Sequence, residues 1–169
     1  FKIIREFKPT NCLELGTNLG ISASYQILGL KLNGSGRLTT IEGSKEQAKI
    51  ANESLKNLKY PEYSVLVGKF SDILPDILDK NKLIDFAFID GHHDMIATKE
   101  YFELLYPFLS KKTILIFDDI NYSSGMKSAW KHISNDSRVN ISFDLYYWGF
   151  CFIKKEEKLA IKNKFKLRI

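Results

Sequence analysis

Outside residues 154–169 this chain carries no excess charge. Seven basic residues (Lys154, Lys155, Lys158, Lys162, Lys164, Lys166 and Arg168) against Glu156 and Glu157 account for the whole net charge of +5. The remainder balances at 18 basic and 18 acidic residues, so the body has no field to gather nucleic acid. Only two cysteines occur, Cys12 and Cys151, each inside an apolar run and neither in a CxxC or Cys/His pattern. That argues against a disulfide scaffold or a zinc site, and for two buried thiols in a reducing cytoplasm. No apolar stretch approaches the roughly 20 residues of a membrane span. Repeats, low-complexity tracts and Pro/Gly-rich linkers are also missing, so the 169 residues read as one domain. The chain opens on Phe1 with its first strand about ten residues later, and we expect an N-terminal part to precede it.

What is present is a repeated device: four apolar runs that each end in a carboxylate. They are Cys12-Leu13-Glu14, Leu38-Thr39-Thr40-Ile41-Glu42, Phe86-Ala87-Phe88-Ile89-Asp90 and Ile114-Leu115-Ile116-Phe117-Asp118-Asp119. Short β-rich runs separated by helical stretches read as parallel strands buried on both faces. Their C-terminal ends then share one rim, where open α/β folds bind ligands. So many acids on one rim suit hydroxyl groups, a sulfonium cation or a divalent metal rather than phosphate.

The patterning predicts strands at Asn11–Gly16, Arg37–Glu42, Tyr63–Gly68, Ile84–Asp90 and Thr113–Asp118. Between and after them it predicts helices at Ile21–Leu32, Lys45–Leu58, Ser71–Asp79, Met95–Leu109 and Gly125–Asn135. Ser44 and Ser71 suit N-caps, and Ala48, Ala51, Leu55 and Leu58 fall on one core-facing stripe. Val139–Tyr147 and Phe150–Lys155 are strand-like runs too close for a helical crossover, so they form an antiparallel hairpin.

This order resembles the class I S-adenosylmethionine-dependent methyltransferase fold: a Rossmann-like, doubly wound seven-stranded α/β sheet, mostly parallel, with a C-terminal antiparallel β-hairpin. The resemblance covers residues 1–155 and leaves 156–169 as a basic C-terminal tail. Glu14-Leu15-Gly16-Thr17-Asn18-Leu19-Gly20-Ile21-Ser22-Ala23 resembles the first motif of the catechol O-methyltransferase-like group. There the loop surrounds the methionine part of the cofactor, which implies contacts from Glu14, Gly16, Thr17, Asn18 and Gly20, with Ser22 helping to hold the carboxylate. The residues themselves agree. Gly16 permits the turn, Gly20 permits close approach, and the helix that follows offers free amides to an anion.

Glu42 follows the second strand, where a carboxylate accepts hydrogen bonds from both ribose hydroxyls, and Gly43 leaves room beside it. Phe70 and Ser71 resemble the family's adenine-facing loop. Asp90-Gly91-His92-His93 and Asp118-Asp119 end two strands that neighbour each other in this fold. Three carboxylates together need a cation or protons, and oxygen ligands without cysteine suit Mg²⁺. In the metal-dependent members of the resembled group, magnesium is held at the positions of Asp90, Asp118 and Asp119; Asn121 is a spare oxygen donor. Asp90 and His92 also fall among the cofactor contacts, His92 against the adenine. His93 falls at the offset of the family's general base, and imidazoles in general exchange protons near neutrality.

The function expected is O-methylation of a small hydroxylated acceptor with S-adenosylmethionine and magnesium. A nucleic-acid methyltransferase is the first rival. The Asp/Asn-Pro-Pro-aromatic run of amino-group methylation is replaced here by Asp90-Gly91-His92-His93. A nicotinamide-dependent oxidoreductase would need GxGxxG, whereas these glycines are four apart, and no Tyr-x-x-x-Lys pair lies on a plausible helix. A binding domain that has lost turnover would have no need of the full acid set. The acceptor and the oligomeric state have no signal in the sequence.

Overall fold

The structure is a computed structural model that describes residues 1–79, 82–153 and 163–167. The chain divides into two compact units, Phe1–Phe86 and Ala87–Ile169.

The first unit begins with α1 (Lys2–Phe7) and then alternates: β1 (Asn11–Leu15), α2 (Ile21–Asn33), β2 (Arg37–Glu42), α3 (Lys45–Lys56), β3 (Tyr63–Val67) and α4 (Phe70–Ile77). It ends within β4 (Ile84–Ile89). β2 lies between β1 and β3 and is parallel to both, with Leu38 opposite Cys12 on one side and Tyr63 on the other. The start of β4 is tied to β1 by Asp85, whose carboxylate accepts from the amides of Thr10 and Asn11, both at 2.9 Å. α3 buries Ala48, Ala51 and Leu55, the spacing that packs one helical face on a core. Ser44 caps it, its hydroxyl accepting from Gln47 N. Ser71 does not cap α4. Phe70 is buried and already helical, so the helix starts a residue early with Lys69 as N-cap, and the Ser71 hydroxyl donates to Asp72 instead. Pro75 lies inside α4, which stops two residues later.

The second unit completes β4 and adds α5 (Met95–Leu105), a 3₁₀ turn at Tyr106–Phe108, β5 (Leu109–Phe117) and α6 (Ser124–Asn135). It closes with β6 (Val139–Asp144), β7 (Gly149–Ile153) and β8 (Asn163–Lys166). β7 is antiparallel to both β5 and β6, and β8 is parallel to β6. α5 is shorter than the pattern predicted. Pro107 has no N–H to carry the helix on, so the chain tightens into the 3₁₀ turn and β5 begins at Leu109 rather than Thr113. The hairpin is shorter too: Asp144 accepts from Tyr146 N and Tyr146 takes a left-handed φ of 70°, which turns the chain before Tyr147.

The Rossmann-like α/β class holds, mostly parallel with antiparallel pairing near the C-terminus, but there are eight strands among the described residues rather than seven. The extra one, β8, comes from the segment expected to be a tail. Phe165 stacks on Phe143 with ring centroids 4.9 Å apart, and Lys166 Nζ lies 3.6 Å from Asp144. Residues 154–162, with the end of the expected strand Phe150–Lys155, lie outside the described residues. Cys12 and Cys151 are free and buried, and burial raises both thiols above their ordinary range. Among the described residues no helix is long and apolar enough to cross a membrane.

Candidate active site

In the first unit the β1–α2 loop is held against the end of β2. Gly16 N and Thr17 N both donate to Ile41 O, at 3.0 and 3.2 Å. Gly16 and Gly20 adopt φ of 101° and 83°, where a side chain is strained. The close approach at Gly20 is made by the protein's own α3: an added Cβ would lie 3.1 Å from Ala51 Cβ. Gly20 thus lets α2 pack closely on α3. α2 then starts without a side-chain cap.

Glu14 is fully buried beneath this loop. Its carboxylate accepts from Gln26 Nε2 and Thr40 Oγ1, both at 2.6 Å. Thr17, also buried, shares a 2.6 Å hydrogen bond with Thr40. Glu14 and Thr17 therefore support the loop from below. Burial pushes the Glu14 carboxyl up to about 7 despite the donors beside it. Ser22 is half-buried in the first turn of α2.

Glu42 ends β2 half-buried. Its Oε2 accepts from Asn18 N at 2.7 Å and its Oε1 from Ser44 N at 2.9 Å. Asn18 is exposed with φ 47°, and its side-chain oxygen accepts from Gln47. No atom stands within 4 Å of where a Gly43 Cβ would be, so the space beside Glu42 is open. Phe70 is only 6% exposed and belongs to the core, while Ser71 is exposed.

The second unit gathers Asp90, His93, Asp118 and Asp119. His93 Nε2 lies 3.6 Å from Asp90 and its Nδ1 lies 3.9 Å from Asp119. Asp118 N donates to Ile89 O, which binds the two strand ends together. The Asp118 carboxyl is raised by burial and then by the charge of the neighbouring Asp119. His92, His93 and Asp119 all have left-handed φ, of 63°, 40° and 51°. Such strain costs on the order of 1–3 kcal/mol per residue and is typical of sites where side chains are aimed by the backbone.

His92 points elsewhere. Its Nδ1 lies 2.5 Å from the hydroxyl of buried Tyr101, and the two rings stack. Tyr122 is exposed beside His93, with ring centroids 5.9 Å apart, whereas Trp130 is buried against Phe117. Asn121 donates to Tyr146 O. Among the described residues no three His, Cys, Asp or Glu side chains converge as metal ligands do. The aspartates have the oxygen chemistry for Mg²⁺, and as arranged Asp90 and Asp119 lie against His93.

Sequence reasoning missed three residues. Gln26 is a polar member of the buried stripe Ala23, Ile27 and Leu30 on α2, which was its available signal. Thr40 alternates inward from β2, and Tyr101 is buried on α5.

A glycine loop after β1 beside a carboxylate after β2 defines a cofactor-using α/β enzyme. The chain belongs to the methyltransferase domain family, whose model matches residues 13–120. The resemblance to class I methyltransferases is thereby borne out. No curated protein matches the chain. Among solved structures it is similar to the O-methyltransferase from Bacillus cereus in complex with SAH, at 25% identity and a TM-score of 0.75, covering 90% of this chain and 78% of that one. It is also similar in fold to the O-methyltransferase TomG from Streptomyces achromogenes in complex with SAM, at 22% identity and a TM-score of 0.76, covering 90% and 77%.

Proposed function

We propose that this methyltransferase binds S-adenosylmethionine through the β1–α2 loop and Glu42 and transfers its methyl group to the hydroxyl of a small acceptor. One observation carries the reading: Glu42 closes β2 against the loop amide of Asn18, beside the open space at Gly43. A carboxylate so placed suits a ribose diol, and the uncapped start of α2 with Ser22 suits the methionine carboxylate. The SAH and SAM in the two similar structures support the same cofactor.

His93 acts as general base. It takes the acceptor's hydroxyl proton, the oxygen attacks the methyl carbon in line, and the donor leaves as a neutral thioether. Asp90 and Asp119, on either side of the imidazole, stabilise the imidazolium that forms. Because the donor's positive charge disappears during transfer, positioning supplies most of the acceleration. Magnesium is assigned no step, since the aspartates are not arranged around an ion. Two buried free thiols are consistent with work in the cytoplasm.

Calorimetry with S-adenosylhomocysteine tests the cofactor, and a panel of phenols, sugars and hydroxy acids with methyl-labelled donor tests the transfer. His93→Ala should lower kcat about 10²–10⁴-fold while the donor's KM holds. A variant as fast as wild type removes His93 from the chemistry. Turnover that stops in EDTA and returns with Mg²⁺ would bring the aspartates in as ligands; turnover that persists leaves the proton transfer to His93.

A further inference from the structure

One face of the first unit's sheet is only partly covered. Side chains alternate along the strands, and Gln26 of α2 reaches Glu14, so α2 lies on the face of Glu14 and Thr40. Leu13, Thr39 and Ser64, matched in register, stand on the other face with Leu66. There α4 follows β3 and runs back from the C-terminal ends of the strands. Its eight residues span about 12 Å, against roughly 20 Å for the six of β2. With Pro75 inside it, the helix stops at Ile77 and leaves the strand beginnings uncovered. Beneath its end is a cavity of about 650 Å³ that reaches Asn11 and Arg37, the first residues of β1 and β2. The β1–α2 loop leaves from the opposite ends of these strands.

The lining has an apolar part and a polar part. Leu13, Leu66, Ile77 and Leu78 supply apolar wall. Thr39 and Ser64 are partners on adjacent parallel strands, which sets their side chains about 5 Å apart. Neither hydroxyl bonds to another described residue, whereas Thr40, one position on, gives its hydroxyl to Glu14. Arg37 lies two residues before Thr39 on β2. Lys82 comes from the segment after α4, which Asn11 Nδ2 ties to the start of β1 by donating to Lys82 O at 2.8 Å. Neither cation has an ion pair among the described residues. Asp79 is the one carboxylate among the described lining residues, so the two cations leave a surplus of one positive charge. Asp85, close by, is already occupied by the amides of Thr10 and Asn11.

We propose that this cavity is a second binding site, for a small amphipathic anion: a monocarboxylate with an apolar chain. Its carboxylate accepts from Arg37, Lys82 and the paired hydroxyls of Thr39 and Ser64, and its chain lies on Leu13, Leu66 and Ile77. The volume falls within the range of about 300–1,000 Å³ that small-molecule sites occupy. A wholly polar anion would leave the apolar wall wet, and a neutral hydrocarbon would leave both cations and both hydroxyls unused. The site does not depend on the cofactor reading, since it shares no residue with the β1–α2 loop or Glu42.

Decanoate is the probe, with acetate as its head alone and decanol as its neutral counterpart. Each is titrated into the full chain near neutral pH, followed by calorimetry and by NMR of methyl-labelled leucine and isoleucine. Decanoate should bind with a Kd below about 1 mM, and acetate and decanol at least about tenfold more weakly. Methyl shifts should centre on Leu13, Leu66 and Ile77. Arg37→Gln combined with Lys82→Gln, both exposed, should weaken decanoate about three- to tenfold and leave decanol unchanged. Ser64→Leu, which fills the space, should abolish binding of both. If that variant fails to fold, Thr39→Val serves, and should weaken decanoate alone. No saturable binding at millimolar decanoate overturns the proposal, and so does decanol binding as tightly as decanoate. Shifts centred instead on Leu19, Ile21 or Leu28, exposed on the β1–α2 loop and α2, also overturn it, as adventitious binding to another surface.

Discussion

Glu14 shows what one side chain can impose on a whole domain. Its folded carboxyl is raised from 4.5 to about 7 by burial, so between those values the native state holds a proton that the unfolded chain has lost. Stability therefore declines as pH rises through that window. By pH 8 the ionised buried group has cost about 3 kcal/mol relative to pH 4, at roughly 1.4 kcal/mol for each tenfold change in proton activity across the window. Urea midpoints at pH 5 and pH 8 test it: wild type should be weaker at pH 8, and Glu14→Gln should show little of that difference. Equal slopes would mean that some other group titrates. At this scale the sequence was a partial guide. Glu14, Glu42, Asp90, Asp118 and Asp119 announced themselves by ending apolar runs. Gln26, Thr40 and Tyr101 did not, because a polar residue on a buried face looks the same whether it meets solvent or a hidden partner. Gly20 shows a similar limit: a glycine signals close approach without saying what approaches, and α3 with Ala51 is one such neighbour.

Among elements, the errors lie where local chemistry overrode periodicity. The apolar spacing of α5 runs on to Leu109, yet Pro107 removes a donor and the helix ends at Leu105. The strand pattern of β6 continues to Tyr147, yet the Asp144 side chain captures an amide and turns the chain. Where caps and apolar stripes agreed, as in α3, the boundaries were legible at Ser44 and Lys45. The β7–α6 contact makes a sharp test of packing. A Cβ on Gly149 would come within 3.0 Å of three ring carbons of buried Trp130. Gly149→Ala should therefore cost about 1–3 kcal/mol, read as a lowered thermal midpoint together with altered tryptophan fluorescence. Unchanged stability would mean that the indole has room to shift.

For the whole molecule, charge distribution is the most informative quantity, and it was readable from composition alone. The body is neutral and the surplus of +5 arises beyond Ile153. A gel shift with tRNA at about 0.15 M salt should show no retained complex, since few phosphates are neutralised and weak contacts fade with screening. A complex that survives this salt would restore the nucleic-acid rival. The architectural class was equally accessible, because alternating strands and helices admit few connections. The eighth strand was not, since four residues among lysines carry no apolar alternation to announce it.

That strand has a consequence for handling the protein. β8 lies along β6 and exposes all four of its residues, two of them lysines. Lysines on an outermost strand discourage neighbouring molecules from adding to a sheet. A chain shortened to Ile153 would uncover the backbone amides and carbonyls of β6 next to Phe143, a template for intermolecular strand pairing. Such a truncation should aggregate on storage even with its β1–α2 loop intact.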